Sequence, residues 1–431
     1  MKARVGVVLS PRGAATVRDI LLAAGEDIEV VALLRPEVRL GWPGFAGLVE
    51  RLFGRLVEVD EDHLDVPGGP LRGVVTFADA ELELAAAIGR HLGVRHRRAE
   101  PADKLLQRRR LHDAGLSAVT ARPLAGPEDL SAARAELGLP FVVKPRRGAG
   151  GAHVVVVDSE RRCAEVQRSW SHGVARYAEG FIPTATSAPR SWRADYVSVE
   201  VQSVGGHHEV ITLFGKLPVV TREGQIATTG DLLPCGLSPE LRGRVEDLVL
   251  AAHRALELDD GVSHTEVKLG AAGPEVIEVN CRVGGHLSRL LNRRHGFDLV
   301  RQALLVTAGL APRPLPVEAG TRAVAGMFVP FASVEGPVRS RVSPAELRAA
   351  GAAAVDELAR EGAPRSYTDG IACNVVLDRE DEDELRRTAA GLLARVGELF
   401  AADGIGRHDW TEDMIELLAV GEGTPVPGRG R

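Results

Sequence analysis

Residues 263–285 read SHTEVKLGAAGPEVIEVNCRVGG, two β-rich runs around a Gly270–Pro274 turn. Such a segment closes as an antiparallel hairpin. Strand side chains alternate between faces. One face then carries His264, Glu266 and Lys268 from the first strand and Glu278, Asn280 and Arg282 from the second. The other carries Val267, Leu269, Ile277, Val279 and Cys281, and belongs against a core. A symmetric turn pairs Leu269 with Glu275, which sets Glu266 opposite Glu278 and His264 opposite Asn280. Two carboxylates about 5 Å apart across a ladder repel and destabilise the sheet. Whatever fold this chain takes has to supply positive charge there. Two carboxylates and an amide carbonyl are hard oxygen ligands of the kind Mg²⁺ takes up together with phosphate oxygens. Arg282 on the same face could steady charge on a transferred phosphoryl group. The plainer reading is a solvated polar face, and a one-residue slip in register would separate the pair.

Composition sharpens this in one respect. Only five of the 53 Lys and Arg residues are lysines: Lys2, Lys104, Lys144, Lys216 and Lys268. Where arginine is so favoured, a retained lysine marks a place where a forked guanidinium cannot replace a compact ammonium.

Along the chain, residues 1–100 alternate short apolar strands (4–9, 28–34, 56–59, 73–76) with amphipathic helices (14–24, 80–92). This is the βαβ rhythm of an open parallel sheet. No GxGxxG follows the first strand, so no nicotinamide site is read there. A helix over 104–114 opens after Pro101-Ala102-Asp103 and ends at Gly115, and a second covers 127–137. The segment 141–157, FVVKPRRGAGGAHVVVV, is a hairpin with a glycine-rich tip containing Gly148, Gly150 and Gly151. Glycines let backbone N–H groups approach an anion, and Lys144 adds a point charge. It lacks the GK[ST] and following helix of a Walker A loop. A Pro/Ser/Thr loop spans 183–193, strands 195–204 and 208–213 form a hairpin, and helices cover 239–258 and 287–308. APRPLPVE at 311–318 marks a boundary. A unit of mixed strands and helices follows over 323–402, and the Gly/Pro-rich tail 421–431 reads as disordered.

A strand ending in lysine, a glycine-rich hairpin and a later E…ExNxR hairpin, in that order, resemble the ATP-grasp superfamily over roughly residues 1–415. The resemblance implies an α/β chain with a central α+β domain. Its parts would be an N-terminal open parallel α/β domain (1–100), a catalytic ATP-grasp domain (101–312) and a lid-like C-terminal α+β domain (313–420). It implies ATP and Mg²⁺ as cofactors, with Mn²⁺ as the alternative ion. Lys104 and Lys144 take the place of lysines that contact nucleotide phosphates, beside the Gly148–Gly151 tip. Glu179-Gly180-Phe181-Ile182 resembles the hinge strand that reads the adenine edge, although Gly180 stands where a second acid is frequent. Glu266, Glu278 and Asn280 match the metal ligands. Arg282 matches the arginine on the reacting carboxylate, with Lys268 and His264 as further catalytic candidates.

Within the superfamily the chain is most similar to L-amino-acid ligases, on His264-Thr265-Glu266, the NCRVGGH run ending at His286, and the Phe328-Val329-Pro330 and Gly336-Pro337-Val338 pattern. Small carboxylates and amines, amino acids among them, are then the partners, and amide formation through an acyl phosphate is the expected activity. Lys216, Trp192, Gly284, Gly285 and His286 are the substrate-side candidates. A bicarbonate-using relative of biotin carboxylase, a purine-pathway ligase and an inactive nucleotide-binding regulator are the competing readings. A net charge of −6 leaves no basic footprint for nucleic acid. No apolar run approaches the roughly 20 residues of a membrane helix. The four scattered cysteines form no zinc spacing and fit a reducing, cytoplasmic setting. A homodimer is the assembly the resemblance implies.

Overall fold

A computed structural model describes residues 2–148, 151, 153–171, 173–184, 191–222, 225–317, 320–331, 336–365, 371–405 and 409–420. The chain opens with β1 (Ala3–Val8), β2 (Ile28–Leu34), β3 (Leu56–Glu58) and β4 (Gly73–Thr76). They form an all-parallel sheet in the order β3-β2-β1-β4. The expected strand ends hold to within a residue. Apolar runs such as Val5, Val7, Val8, Ala32, Leu33 and Leu34 are buried, as the core strands of a helix-covered parallel sheet must be.

The next strands in chain order are β5 (Ala121–Leu124), β6 (Phe141–Pro145), β7 (Val155–Val157), β8 (Arg176–Gly180), β9 (Tyr196–Val204), β10 (His207–Lys216), β11 (Val220–Arg222), β12 (Gln225–Ala227), β13 (Gly230–Leu233), β14 (Gly261–Gly270) and β15 (Gly273–Asn280). Then come β16 (Ala323–Pro330), β17 (Ala354–Leu358) and β18 (Ile371–Arg379). Six of them make a second sheet, β11-β12-β7-β6-β8-β5, which carries the glycine-rich hairpin. Eight make a third, β15-β14-β9-β10-β13-β16-β18-β17, so strands from the last unit extend the sheet that begins at the acidic hairpin.

Two expectations are corrected. The apolar stretch 287–308 is two helices, Leu287–His295 and Leu299–Ala308. Gly296 ends the first in the left-handed region, at φ +66°. The Asp298 carboxylate then caps the second by accepting from the backbone N–H groups of Val300 (2.9 Å) and Arg301 (3.1 Å).

The turn of the acidic hairpin is also tighter than a symmetric reading allows. Gly270 faces Gly273, which places Leu269 opposite Pro274 rather than Glu275. A bulge at Ile277 absorbs the extra residue and restores Glu266 opposite Glu278 and His264 opposite Asn280. Val276 therefore takes the core position, while Ile277, expected in the core, lines a cleft.

All four cysteines are free and buried. Among the described residues no helix is long and apolar enough to cross a membrane.

Candidate functional site

Two cavities meet at the acidic hairpin. The first lies between the second and third sheets and measures roughly 1100 Å³ with its open mouth. Val142, Val154, Val156, Ile182 and Ile277 give it apolar walls; Lys104, Lys144, Gly148 and Gly151 face it from the glycine-rich side. Gly180 and Phe181 line it too. Gly150, the remaining tip glycine, lies outside the described residues.

Lysine placement in this cleft follows from buried acids. Lys144 Nζ is 2.5 Å from Glu179 Oε1, and the other Glu179 oxygen accepts from Arg108 Nε at 3.0 Å. Burial alone would raise the Glu179 carboxyl, but Lys144 and Arg108 hold it down at about 2. Lys104 Nζ donates to the Gly148 carbonyl at 2.9 Å and lies 3.0 Å from Glu278 Oε2. It thereby links the glycine-rich tip to the acidic hairpin. Lys268 pairs with Asp195 at 2.7 Å and faces this first cleft, away from Arg282.

The Glu266–Glu278 pair lines both cavities. Part of its compensation comes from the protein. Lys104 serves Glu278, and His264 Nε2 lies 3.5 Å from Glu266 Oε1. The His264 ring is in turn held through Nδ1 by the fully buried Glu200. Burial would lower the imidazole pKa, yet Glu200 pushes it up to about 9, so the ring carries a proton at neutral pH. Burial also opposes the charged form of Glu266, and the hydrogen bond from His264 and the charge of Lys216 outweigh it and lower that carboxyl. Asn280 Nδ2 donates to Glu278 Oε1 at 3.0 Å, which leaves the amide oxygen as an acceptor.

No group of three His, Cys, Asp or Glu side chains that could hold a metal occurs among the described residues. Two carboxylates and an amide oxygen beside a phosphate-sized cleft are nonetheless a donor set that fits Mg²⁺, which keeps several of its positions for water and substrate oxygens.

The second cavity, roughly 1020 Å³ with its mouth, continues from the carboxylates toward β16 and β17. Arg282, Lys216, Gly285 and His286 line it, with Phe77, Leu287, Phe328 and Ile371 as apolar walls. Arg282 Nε and Nη2 donate to one oxygen of Asp79, at 2.9 and 2.7 Å, which fixes the guanidinium plane at the cavity edge. Lys216 sits 2.5 Å from Asp231 in the adjoining strand, and that pairing outweighs burial and raises its pKa. His286 holds a left-handed backbone at φ +62° and packs its ring against Phe328, 5.6 Å between centroids. Gly284 donates its N–H to Glu200 at 3.0 Å, and a Cβ there would lie 2.2 Å from Leu287 and 2.6 Å from the His264 ring. Trp192, expected on a pocket wall, is instead 2% exposed in the core under β16 and β18, with the Arg193 guanidinium stacked on it at 4.6 Å.

Sequence reasoning missed four organising residues: Arg108, Glu200, Asp231 and Asp79. Arg108 gave no signal: Lys104, Gln107, Arg108 and Leu111 share one buried helical stripe, but the helix has no apolar face in sequence that would mark it. Glu200 had one, as Ser198, Glu200 and Gln202 alternate on β9 and pair in register with β14.

No family model matches the chain. It is similar to carnosine synthase 1 of Homo sapiens, 27% identical over 266 residues, 57% of this chain and 32% of that protein. It is also similar to alanine–anticapsin ligase of Bacillus subtilis (strain 168), 24% identical over 239 residues, 49% of each. The chain thus spans a third to a half of the length of these curated relatives. Among solved structures it resembles the L-amino acid ligase from Bacillus licheniformis, with a TM-score of 0.71 and 20% identity over 91% of this chain and 97% of that one. On this likeness, and on the sheets and clefts described above, the chain has the ATP-grasp fold.

Proposed function

We propose that the chain is an ATP-dependent carboxylate–amine ligase that forms an amide through an acyl phosphate, with an amino acid as one substrate. The observation that carries this is the junction of the two cavities at Glu266 and Glu278. A nucleotide in the first cleft would end its triphosphate where a carboxylate in the second cavity begins. The similarity to a carnosine synthase and an alanine–anticapsin ligase supports the same reading.

In this reading Phe181 and Ile182 flank the adenine, and Lys144 and Lys104 neutralise phosphates beside Gly148 and Gly151. Glu266, Glu278 and Asn280 would hold Mg²⁺, which when bound would draw charge from the terminal phosphate. A carboxylate oxygen attacks the γ-phosphorus, the bond to the bridging oxygen breaks, and ADP leaves. The amine nitrogen then attacks the acyl carbon, inorganic phosphate departs with the former carboxylate oxygen, and the nitrogen loses a proton. Arg282, fixed by Asp79, faces the carboxylate and the oxyanion that forms from it. His264, protonated and anchored by Glu200, keeps Glu266 charged and in place.

The test is a screen of phosphate release from ATP over pairs of carboxylates and amines, followed by hydroxylamine trapping of the activated acid. An acid that gives ATP-dependent phosphate and a hydroxamate supports the proposal. A broad panel of acids that gives neither overturns it.

A further inference from the structure

The charged groups of the second cavity are mostly committed to one another. Lys216 is held by Asp231, Arg282 by Asp79 and His264 by Glu200. Arg12, from the loop after β1, lies 6.0 Å from the centre of the Trp42 ring. Glu357, an exposed residue on β17, also lines the cavity, and its carboxylate makes no ion pair or side-chain hydrogen bond with a described residue, so it is open to a ligand. The adjacent Asp356 is already paired with Arg289 at 2.5 Å.

Backbone geometry aims Glu357 there. Val355 pairs with Val375, and a bulge at Asp356 makes Glu357 pair with Asn374, where an unbroken ladder would give Cys373. Val375 and Cys373 face the apolar core under the last helices. Without the bulge the Glu357 carboxylate would point into that core; with it, Glu357 turns to the cavity face. Asn374 stands across the ladder from both Glu357 and Phe328, two residues of the cavity wall. Asn374 is 1% exposed, and its amide nitrogen has no hydrogen-bond partner among the described residues. An unfilled donor in a buried setting is unfavourable, and here it stands on the strand that flanks Glu357.

We infer that Glu357 receives the ammonium group of the carboxylate substrate and so selects amino acids over acids that lack the amine. This rests on the ligase reading above. It assigns a specificity role to β17, a strand remote in sequence from the acidic hairpin.

Hydroxamate formation with ATP, Mg²⁺ and hydroxylamine reads the activated acid alone. L-alanine, L-leucine and L-phenylalanine would each be compared with the acid lacking the amine: propionate, 4-methylpentanoate and 3-phenylpropionate. The wild-type chain should prefer the amino acid of its best pair by tenfold or more in kcat/KM. In Glu357→Gln that preference should shrink about tenfold, through a higher KM for the amino acid. Glu357→Lys should invert it. An unchanged ratio in Glu357→Gln overturns the inference, and so does an equal loss for both members of a pair, which would mark a structural role. Calorimetric titration of the same pairs into both proteins decides the point without turnover: a preference for the amino acid that survives Glu357→Gln overturns it. Absence of hydroxamate from every acid would instead strike the ligase reading.

Discussion

Replacing Arg108 with leucine tests the buried network behind the first cleft, the proposed nucleotide site. Arg108 is 2% exposed. It donates to Glu179 Oε2 (3.0 Å), Ser117 Oγ (3.1 Å), Glu275 Oε1 (3.1 Å) and the Ile277 carbonyl (3.2 Å) at the bulge. One side chain thus ties the hinge strand β8 to the bulge that sets Glu278 opposite Glu266. Removing one partner of a buried ion pair costs about 3–5 kcal/mol, because the other charge stays buried. A second route gives a lower figure for Arg108's part. The Glu179 carboxyl is lowered from 4.5 to about 2. At about 1.4 kcal/mol per pKa unit that is on the order of 3 kcal/mol, shared between Arg108 and Lys144.

The sign fixes the pH window. A depressed carboxyl contributes stability that is full above its unfolded pKa near 4.5 and is lost as pH falls toward 2. In Arg108→Leu the folded pKa rises, so the gap between wild type and variant should be widest at pH 7 and narrow as pH falls from the variant's raised folded pKa toward 2. Urea unfolding across that range measures it. A gap under about 1 kcal/mol at pH 7, or one that stays constant down to pH 3, refutes the reasoning. Arg108→Lys should recover only part of the loss, since an ammonium cannot serve four directions of a planar fork.

Further changes probe the site itself. Glu278→Ala should abolish ATP turnover while circular dichroism stays that of the folded chain; residual turnover above about 1% would remove Glu278 from the proposed metal site. Lys144→Met should weaken ATP binding at least tenfold by calorimetry, since its ammonium, 2.5 Å from Glu179, is one of the cations that line the cleft; equal affinity would place the phosphates elsewhere. Gly284→Ala should lower kcat tenfold or more, because the added methyl meets the His264 ring at 2.6 Å and Leu287 at 2.2 Å. Unaltered kcat would mean that the Glu200–His264 anchor does not matter to the chemistry.

Much of this site was legible because it lies on strands, where period two assigns faces without knowledge of the tertiary fold. His264, Glu266, Glu278 and Asn280 fall on one face of β14 and β15 as alternation requires. The bulge at Ile277 was not legible, since it answers to a turn of two residues that nothing in the local pattern specifies. It happens to cancel the error in the assumed turn, so the carboxylate pair came out right from a register that was wrong nearer the tip. Of the retained lysines, Lys104 and Lys144 line the first cavity and Lys216 the second. Lys268 shows the limit of that signal, as its partner Asp195 draws it to the nucleotide side. Trp192 misled because a tryptophan in a polar loop looks like a ligand platform until the core it anchors is known. Glu200, Asp231 and Asp79 act through partners far away in sequence, and only the assembled sheets bring each to its cation.

Oxygen tracing tests the central claim most directly. An amino acid accepted in the phosphate-release screen would be labelled with ¹⁸O in its carboxylate and turned over with ATP, Mg²⁺ and an amine. Mass spectrometry of the released phosphate should find one labelled oxygen per molecule, carried across when the carboxylate attacks phosphorus at the Glu266–Glu278 junction. Phosphate free of label would contradict the account.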